Sequence, residues 1–256
     1  SLLILGHPLA MQKETRFIEH NMNRLFMGVH QRKAFSGSVD AERAEALERQ
    51  VERFAGRYSL VEHYDLHTAI RDSYIERFAL KPKREHEANS SISQGDQTTL
   101  LKMGVEALVY QHKPASTFSS YTSRTFKSSS YTVELGKVHR FGENDLERYA
   151  DTYACLSRLL SEDDDKHAEA KPDGTRLQEF EVCHEIINDH EQFELHVDEN
   201  AKNFSELEHG ALLSHSPASE YKVQHESEFL IFPNSKVPIG QRAGLMLKRV
   251  NRGQTQ

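Results

Sequence analysis

Apolar residues recur along this chain with two different periods, and the change of period divides it. Over residues 40–54 the spacing is helical: Ala44, Leu47, Val51 and Phe54 share one face, and Asp40 is placed to cap the start. Residues 144–160 read as a second long helix, with Leu146, Tyr149, Tyr153, Leu156 and Leu160 inward. A shorter helix over 98–103 stops at Gly104. Between them, the apolar runs 60–66, 105–110 and 131–135 read as strands. Strands alternating with helices predict βα units and a mostly parallel sheet. Residues 1–6, Ser-Leu-Leu-Ile-Leu-Gly, have no initiating Met and no polar lead-in. They read as a central strand already under way, buried on both faces, with an upstream segment expected before Ser1.

The character changes at Ser161. An acidic run through His167 leads to Pro172-Asp173-Gly174, which reads as a linker. After it the period falls to about two. Phe180 and Val182 alternate, as do Phe193, Leu195 and Val197, and short apolar runs follow at 229–232 and 245–247. The predicted organisation is therefore an α/β domain over residues 1–162 and a smaller β-rich domain over 175–256. Residues 89–91 and 128–130 read as loops. The polar stretch 81–97 reads as a solvated insertion rather than a flap.

Composition narrows the function classes. The chain has 256 residues, 37% of them hydrophobic and 28% charged, and a formal net charge of −7. No Lys/Arg-rich block stands out, which argues against a nucleic-acid partner. Cys155 and Cys183 are far apart and form no C-x-x-C pair, so a disulfide framework is not expected and a reducing cytoplasm is. No apolar run is long enough to span a bilayer, and no secretory signal pattern occurs, so no membrane partner is expected.

Two strand ends carry candidate chemistry. His67 closes Asp65-Leu66-His67-Thr68, where strand-end ligands of open α/β sheets gather. It reads either as a metal ligand, oriented by Asp65, or as a hydrogen-bonded structural histidine. His63 lies four residues earlier on the same predicted strand, whereas metal-binding pairs at that spacing come from helices. Glu134 lies inside Val-Glu-Leu-Gly, where a carboxylate must be paired, hydrated or functional. It reads as a general base or as a salt-bridge partner of Lys137 or an arginine. Arg16, Asn23, Arg24 and Arg124 form a third element. Arginine forks grip carboxylates, so several near one strand-end site favour a small anionic substrate, although each alone reads as an ordinary surface arginine. No P-loop, G-x-G-x-x-G, G-x-S-x-G or H-E-x-x-H occurs, and His184-Glu185 and His225-Glu226 lack a second His.

Taken in order, Arg16-Phe17, Asn23-Arg24-Leu25-Phe26, Asp65-Leu66-His67-Thr68-Ala69 and Val133-Glu134-Leu135-Gly136-Lys137 resemble the succinylglutamate desuccinylase/aspartoacylase family. Phe141-Gly142-Glu143-Asn144, Phe232-Pro233-Asn234 and Arg242-Ala243-Gly244-Leu245-Met246-Leu247 point to its desuccinylase branch. The resemblance implies a zinc-carboxypeptidase-like mixed sheet flanked by helices, followed by the β-rich domain. It implies zinc-dependent hydrolysis of N-succinyl-L-glutamate to succinate and L-glutamate, in arginine catabolism. An acylase for another N-acyl amino acid, such as N-acetylaspartate, and a metal-free binding or regulatory protein on the same fold are the alternatives. By position, His67 matches the third zinc ligand, Glu134 the carboxylate that activates water, and Arg16 the arginine that polarises the scissile carbonyl. Asn23, Arg24 and Arg124 match groups that hold substrate carboxylates, and Tyr121 lies near a substrate-binding tyrosine. The family's first two zinc ligands, a His-x-x-Glu pair, belong upstream of Ser1. Asn21 stands where an aspartate is common, and Asp72 where a small residue is expected.

Overall fold

A computed structural model describes residues 1–60, 62–84, 91–161 and 175–250. In chain order the helices are α1 (Pro8–Gln12), α2 (Val39–Ala55), α3 (Gln94–Lys102), α4 (Phe118–Phe126) and α5 (Ala150–Leu160). The strands of the first half are β1 (Glu62–Ala69), β2 (Arg77–Lys81), β3 (Ala107–Tyr110) and β4 (Ser129–Lys137). Those of the second half are β5 (Gln178–Ile187), β6 (Glu194–Leu195), β7 (Ser205–Glu208), β8 (Leu212–His215), β9 (Glu220–Lys222), β10 (Ser227–Ile231) and β11 (Arg242–Arg249).

One mixed sheet of eight strands carries the architecture, in the order β1-β4-β2-β3-β5-β11-β10-β7. β1/β4, β2/β3 and β3/β5 pair in parallel, and the remaining pairs are antiparallel. A second sheet, β6-β8-β9, stands beside the C-terminal strands. The expected mixed α/β fold with a β-rich C-terminal part is therefore present, and the β-rich part extends the main sheet through β5 and β11. The predicted linker at 162–174 and the core of the predicted insertion, 85–90, lie outside the described residues.

Alternation sorts the side chains of β4. Tyr131, Val133 and Leu135 pack with Leu100 of α3, Met103 just after it and Cys155 of α5. Thr132 and Glu134 point the other way, and Thr132 Oγ1 lies 2.8 Å from Ser119 Oγ on α4. On that face α2 and α4 form their own cluster with Leu25 and Phe26. Further along the sheet, Phe78, Val109, Phe180 and Leu245 cover it together with Phe204 and Phe229.

Several sequence expectations are corrected. Residues 2–5 are not a strand: Leu3 is 79% and Leu5 64% exposed, and the Leu5 and Gly6 carbonyls accept from Arg43. A strand exists by pairing, and among the described residues no neighbour pairs with this one. Ser38, not Asp40, caps α2 by accepting from the Ala41 amide at 3.2 Å. α5 begins only at Ala150, after a 3-10 turn over Leu146–Tyr149. Its buried residues are Thr152 and Cys155, while Leu146 and Tyr153 are exposed, because the predicted stripe ran across the break between the two helices. Ser129 and Ser130 belong to β4, their polar run tolerated because Ser130 Oγ meets Thr122 Oγ1 and Ser128 Oγ.

Asn203 locks the loop after β1. It is fully buried; its Oδ1 accepts from Phe232 N at 2.7 Å and its Nδ2 donates to Ser73 Oγ at 3.0 Å. Its backbone also exchanges hydrogen bonds with Asp72 and Tyr74. Asn203→Ala is expected to lower the unfolding free energy by about 2–3 kcal/mol, from the buried partners it orphans. Urea denaturation checks this, and a change within 0.5 kcal/mol, roughly the size of a surface substitution, would refute the latch.

Candidate active site

Register places the two candidate reacting groups side by side. In the parallel β1/β4 pair, His67 lies opposite Glu134 and Asp65 opposite Thr132. Cross-strand partners share a face, so both side chains emerge toward α4. Just beyond them β1 advances from His67 to Ala69 while β4 advances from Glu134 to Lys137. The bulge contains Gly136 at φ +102°, where a Cβ would meet the Glu76 side chain. Glycine is thus required at the point where pairing is interrupted.

His67 Nε2 lies 3.0 Å from Asp65 Oδ2 and 3.4 Å from Asn23 Nδ2. Two groups meet at Nε2: a protonated Nε2 donates toward the Asp65 carboxylate, and an unprotonated one accepts from the Asn23 amide. Burial works against a charged ring, but the charge and hydrogen bond of Asp65, with help from Glu134, hold His67 above the usual imidazole value. His63, on the same face, turns instead to Thr122 Oγ1 at 2.7 Å.

Glu134 is 7% exposed, and its Oε2 is buried with no hydrogen-bond partner. Burial raises its pKa above the ordinary carboxylate value, opposed by the charges of His67 and Arg16. Its alternative partner is engaged elsewhere: Lys137 Nζ pairs with Asp72 Oδ1 at 3.0 Å. That pair also accounts for the acidic residue at position 72. An unpartnered buried carboxyl oxygen is costly unless it has work to do.

The segment before α2 brings the basic groups. Asp40, buried inside α2, accepts the amides of Ile18, Glu19 and His20 at 3.0, 2.7 and 2.9 Å, and His7 Nε2 lies 2.9 Å away. This hub pins the stretch that carries Arg16 to Arg24. Asn21 Oδ1 caps the 3-10 turn Met22–Arg24, the task an aspartate would also perform. Asn23 Oδ1 accepts the Phe118 amide at 2.9 Å, which seats the N-terminus of α4 against the site. Arg16 is exposed, and its charge is felt at both Glu134 and His67. Arg24 keeps an opening to solvent, but the protein packed around it and the nearby Arg242 and Arg16 lower its pKa to about 10. It remains a cation at neutral pH.

Two further candidates lie on α4. Tyr121 is buried in the α2/α4 cluster, and its hydroxyl donates to Glu52 Oε1 at 2.9 Å. Arg124 sits in the last turn of α4, about 9 Å along the helix from Phe118 at the usual rise per residue. The residues that sequence reading left without a role are Glu185 and Arg242, whose charges bear on Arg24.

His67 and the orphaned Glu134 oxygen suit a metal site with an attendant carboxylate, and His67 is the one ligand this stretch supplies. Another group of possible ligands, Cys183, His225 and Glu228, lies in the C-terminal part. There Glu228 is already satisfied by Tyr221 Oη, the Gln224 and His225 amides and His225 Nδ1.

Comparison with known proteins follows the same lines. Residues 1–160 match the Succinylglutamate desuccinylase/Aspartoacylase catalytic domain, and residues 175–250 match the AstE/AspA barrel-sandwich hybrid domain. The chain is 39% identical over 249 residues to the Succinylglutamate desuccinylase of Shewanella frigidimarina, covering 96% of this chain and 71% of that protein. It is 36% identical over 256 residues to that of Shewanella amazonensis, with the same coverage. The structure of succinylglutamate desuccinylase from Vibrio cholerae superposes with a TM-score of 0.85 at 31% identity, covering 97% of this chain and 70% of that one. That from Vibrio parahaemolyticus gives 0.84 at 31% identity, over 96% and 70%. With both halves of the sequence matched and these relatives covered over more than two thirds of their length, the chain belongs to the succinylglutamate desuccinylase/aspartoacylase family.

Proposed function

We propose that this protein hydrolyses the amide bond of N-succinyl-L-glutamate, with zinc as its metal. The observation that carries the reading is the buried, unpartnered Glu134 oxygen beside His67, within reach of the charges of Arg16 and Arg24. Residues 1–162 form the catalytic unit in this reading, and residues 175–256 a second, β-rich unit. Zinc, held in part by His67, supplies acidified water and polarises a carbonyl. Glu134 takes a proton from the attacking water and passes it to the departing amine, a task suited to a carboxyl with a raised pKa. Arg16 lends positive charge to the oxygen that becomes anionic. Asn23 and Arg24 hold substrate carboxylates; Asn23 retains one N–H for this after facing His67. Arg124 extends the same array in this reading, and Tyr121 supports α4. The reaction belongs to bacterial arginine catabolism, and two unpaired cysteines suit a reducing cytoplasm.

Side-by-side turnover of N-succinyl-L-glutamate and N-acetyl-L-aspartate by the intact gene product tests the substrate. Preference for the first is expected, and preference for the second would move the protein to the aspartoacylase side of its family. Arg24→Ala is expected to raise KM about 10- to 100-fold, the loss of a charged clamp, with kcat within about threefold. An unchanged KM would remove Arg24 from carboxylate binding.

A further inference from the structure

A small polar hollow lies on the same face of the sheet as Glu134. It is lined by Gln111, His112, Lys113, Glu185 and Arg242 over the apolar floor of Val182 and Leu245. Its position follows from the topology. β3 ends at Tyr110, opposite Glu181 of β5, so Gln111 to Lys113 continue alongside the later part of β5. The same loop then reaches Ser116, whose carbonyl accepts the Phe26 amide, and Phe118, whose amide Asn23 receives. The hollow and the Asn23–Arg24 turn are therefore two ends of one short connection.

Glu185 points into the hollow because of a bulge. Val182 pairs with Leu247 and His184 with Met246, so Cys183 is the extra residue on β5. The extra residue shifts the alternation, and Glu185 comes opposite Leu245 on the face that Val182 occupies. There it lies 3.5 Å from Lys113 Nζ and 3.8 Å from Arg242 Nη1. One carboxylate stands among two permanent cations and His112, so the lining carries an excess of positive charge. Neither pair is tight, and both cations keep donors to spare. Its free space, about 20 Å³, takes little more than a water-sized group, so it can receive only the tip of one ligand arm and not a whole small molecule.

We propose that Arg242, set by Glu185, receives a substrate carboxylate remote from the scissile amide and so selects long, multiply anionic acyl amino acids. The inference rests on the function proposed above and deepens it. Arg24 takes the nearer carboxylate and Arg242 the farther one. A short neutral acyl group leaves the hollow empty.

The test uses the intact gene product and its R242Q and R242K variants. Substrates are N-succinyl-L-glutamate, N-butanoyl-L-glutamate, which lacks the acyl carboxylate, and N-succinyl-L-norvaline, which lacks the side-chain carboxylate. R242Q is expected to raise KM for succinylglutamate about 10- to 100-fold with kcat nearly unchanged, and to leave KM for one of the two analogues unaltered. That analogue identifies the carboxylate read. R242K recovers part of the loss and, like R242Q, melts close to wild type. A rise shared equally by all three substrates, or no rise for succinylglutamate, overturns the assignment. If wild type hydrolyses none of the three, the proposed reaction fails, and titration calorimetry with succinate and with L-glutamate still decides the site. Arg242 stands if R242Q weakens one of them at least about tenfold, and it falls if the affinities of wild type and R242Q match.

Discussion

Glu134→Gln loses hydrolysis by a factor of about 10²–10⁴, the usual contribution of a positioned acid–base group, while the folded protein becomes more stable. The two effects have one origin. Burial raises the pKa of Glu134, and its Oε2 has no partner, so the ionised side chain is held in the fold at a net cost. The amide of Gln removes the charge at constant shape. The gain expected at pH 7 in metal-free protein is about 1–2 kcal/mol, or ~3 °C in Tm for a domain of this size. The sign with pH follows from the direction of the shift. A carboxyl whose folded pKa lies above its unfolded value destabilises the fold once pH exceeds both, and stops doing so below the unfolded value. The gap between variant and wild type therefore widens from acid to neutral pH. Steady-state kinetics with paired thermal melts at several pH values check this. A variant that keeps activity, or one that is less stable at every pH, would remove Glu134 from its assigned place.

Asp40→Ala is the largest expected loss of stability, about 3–5 kcal/mol. The carboxylate is fully buried and accepts three consecutive backbone amides and a histidine nitrogen. Removing it orphans all four donors and releases the segment that positions Arg16, Asn23 and Arg24. Activity should fall with stability. Asp40→Asn, which keeps one acceptor oxygen, should cost less. Burial alone would raise the Asp40 pKa, but the amides of His20, Ile18 and Glu19, and then His7, outweigh it and hold the carboxyl below its ordinary value. The stabilising contribution is therefore complete above the unfolded carboxylate pKa and fades as pH falls below it. Urea melts of wild type and Asp40→Asn should converge between about pH 4 and pH 2, the carboxylate range. A constant difference across that range would show that the charge of Asp40 is not what holds the segment.

The parts of the fold legible in the sequence were those where local pattern and tertiary burial agree. Ala44, Leu47 and Val51 announce α2, and the run ending at Leu135 announces β4, because each buries one stripe or one alternate face. α4 shows no such pattern. Phe-Ser-Ser-Tyr-Thr-Ser-Arg-Thr-Phe is poor in strong helix formers, and it is helical because Thr117 caps it and its hydroxyls find partners in Phe118, Ser130 and Thr132. Those partners are known only once the strands are placed. The strand expected at residues 2–5 failed for the opposite reason: an apolar run predicts burial, but a strand also needs a neighbour.

The site was legible in the same uneven way. His67 and Glu134 end two strands, and a strand end is a local signal. That the two face each other depends on β1/β4 register, which no short window contains. Asn23 was read as a ligand for carboxylates; that its Oδ1 also accepts the amide of Phe118, and so seats α4, no local pattern announces. Tyr121 was placed near the substrate by resemblance, but helical geometry turns it to Glu52. Glu185 was passed over because simple alternation from Phe180 and Val182 sends it to the opposite face. Only the extra residue at Cys183 brings it to the cleft side.

The central claim is that His67 and Glu134 serve one metal-dependent amide hydrolysis. Its most direct test is succinate release from N-succinyl-L-glutamate by the intact gene product, before and after removal of metal by a chelator and again after zinc is returned. Release that stops on chelation and resumes with zinc is the predicted result. No release in any state, or release indifferent to the chelator, would contradict it.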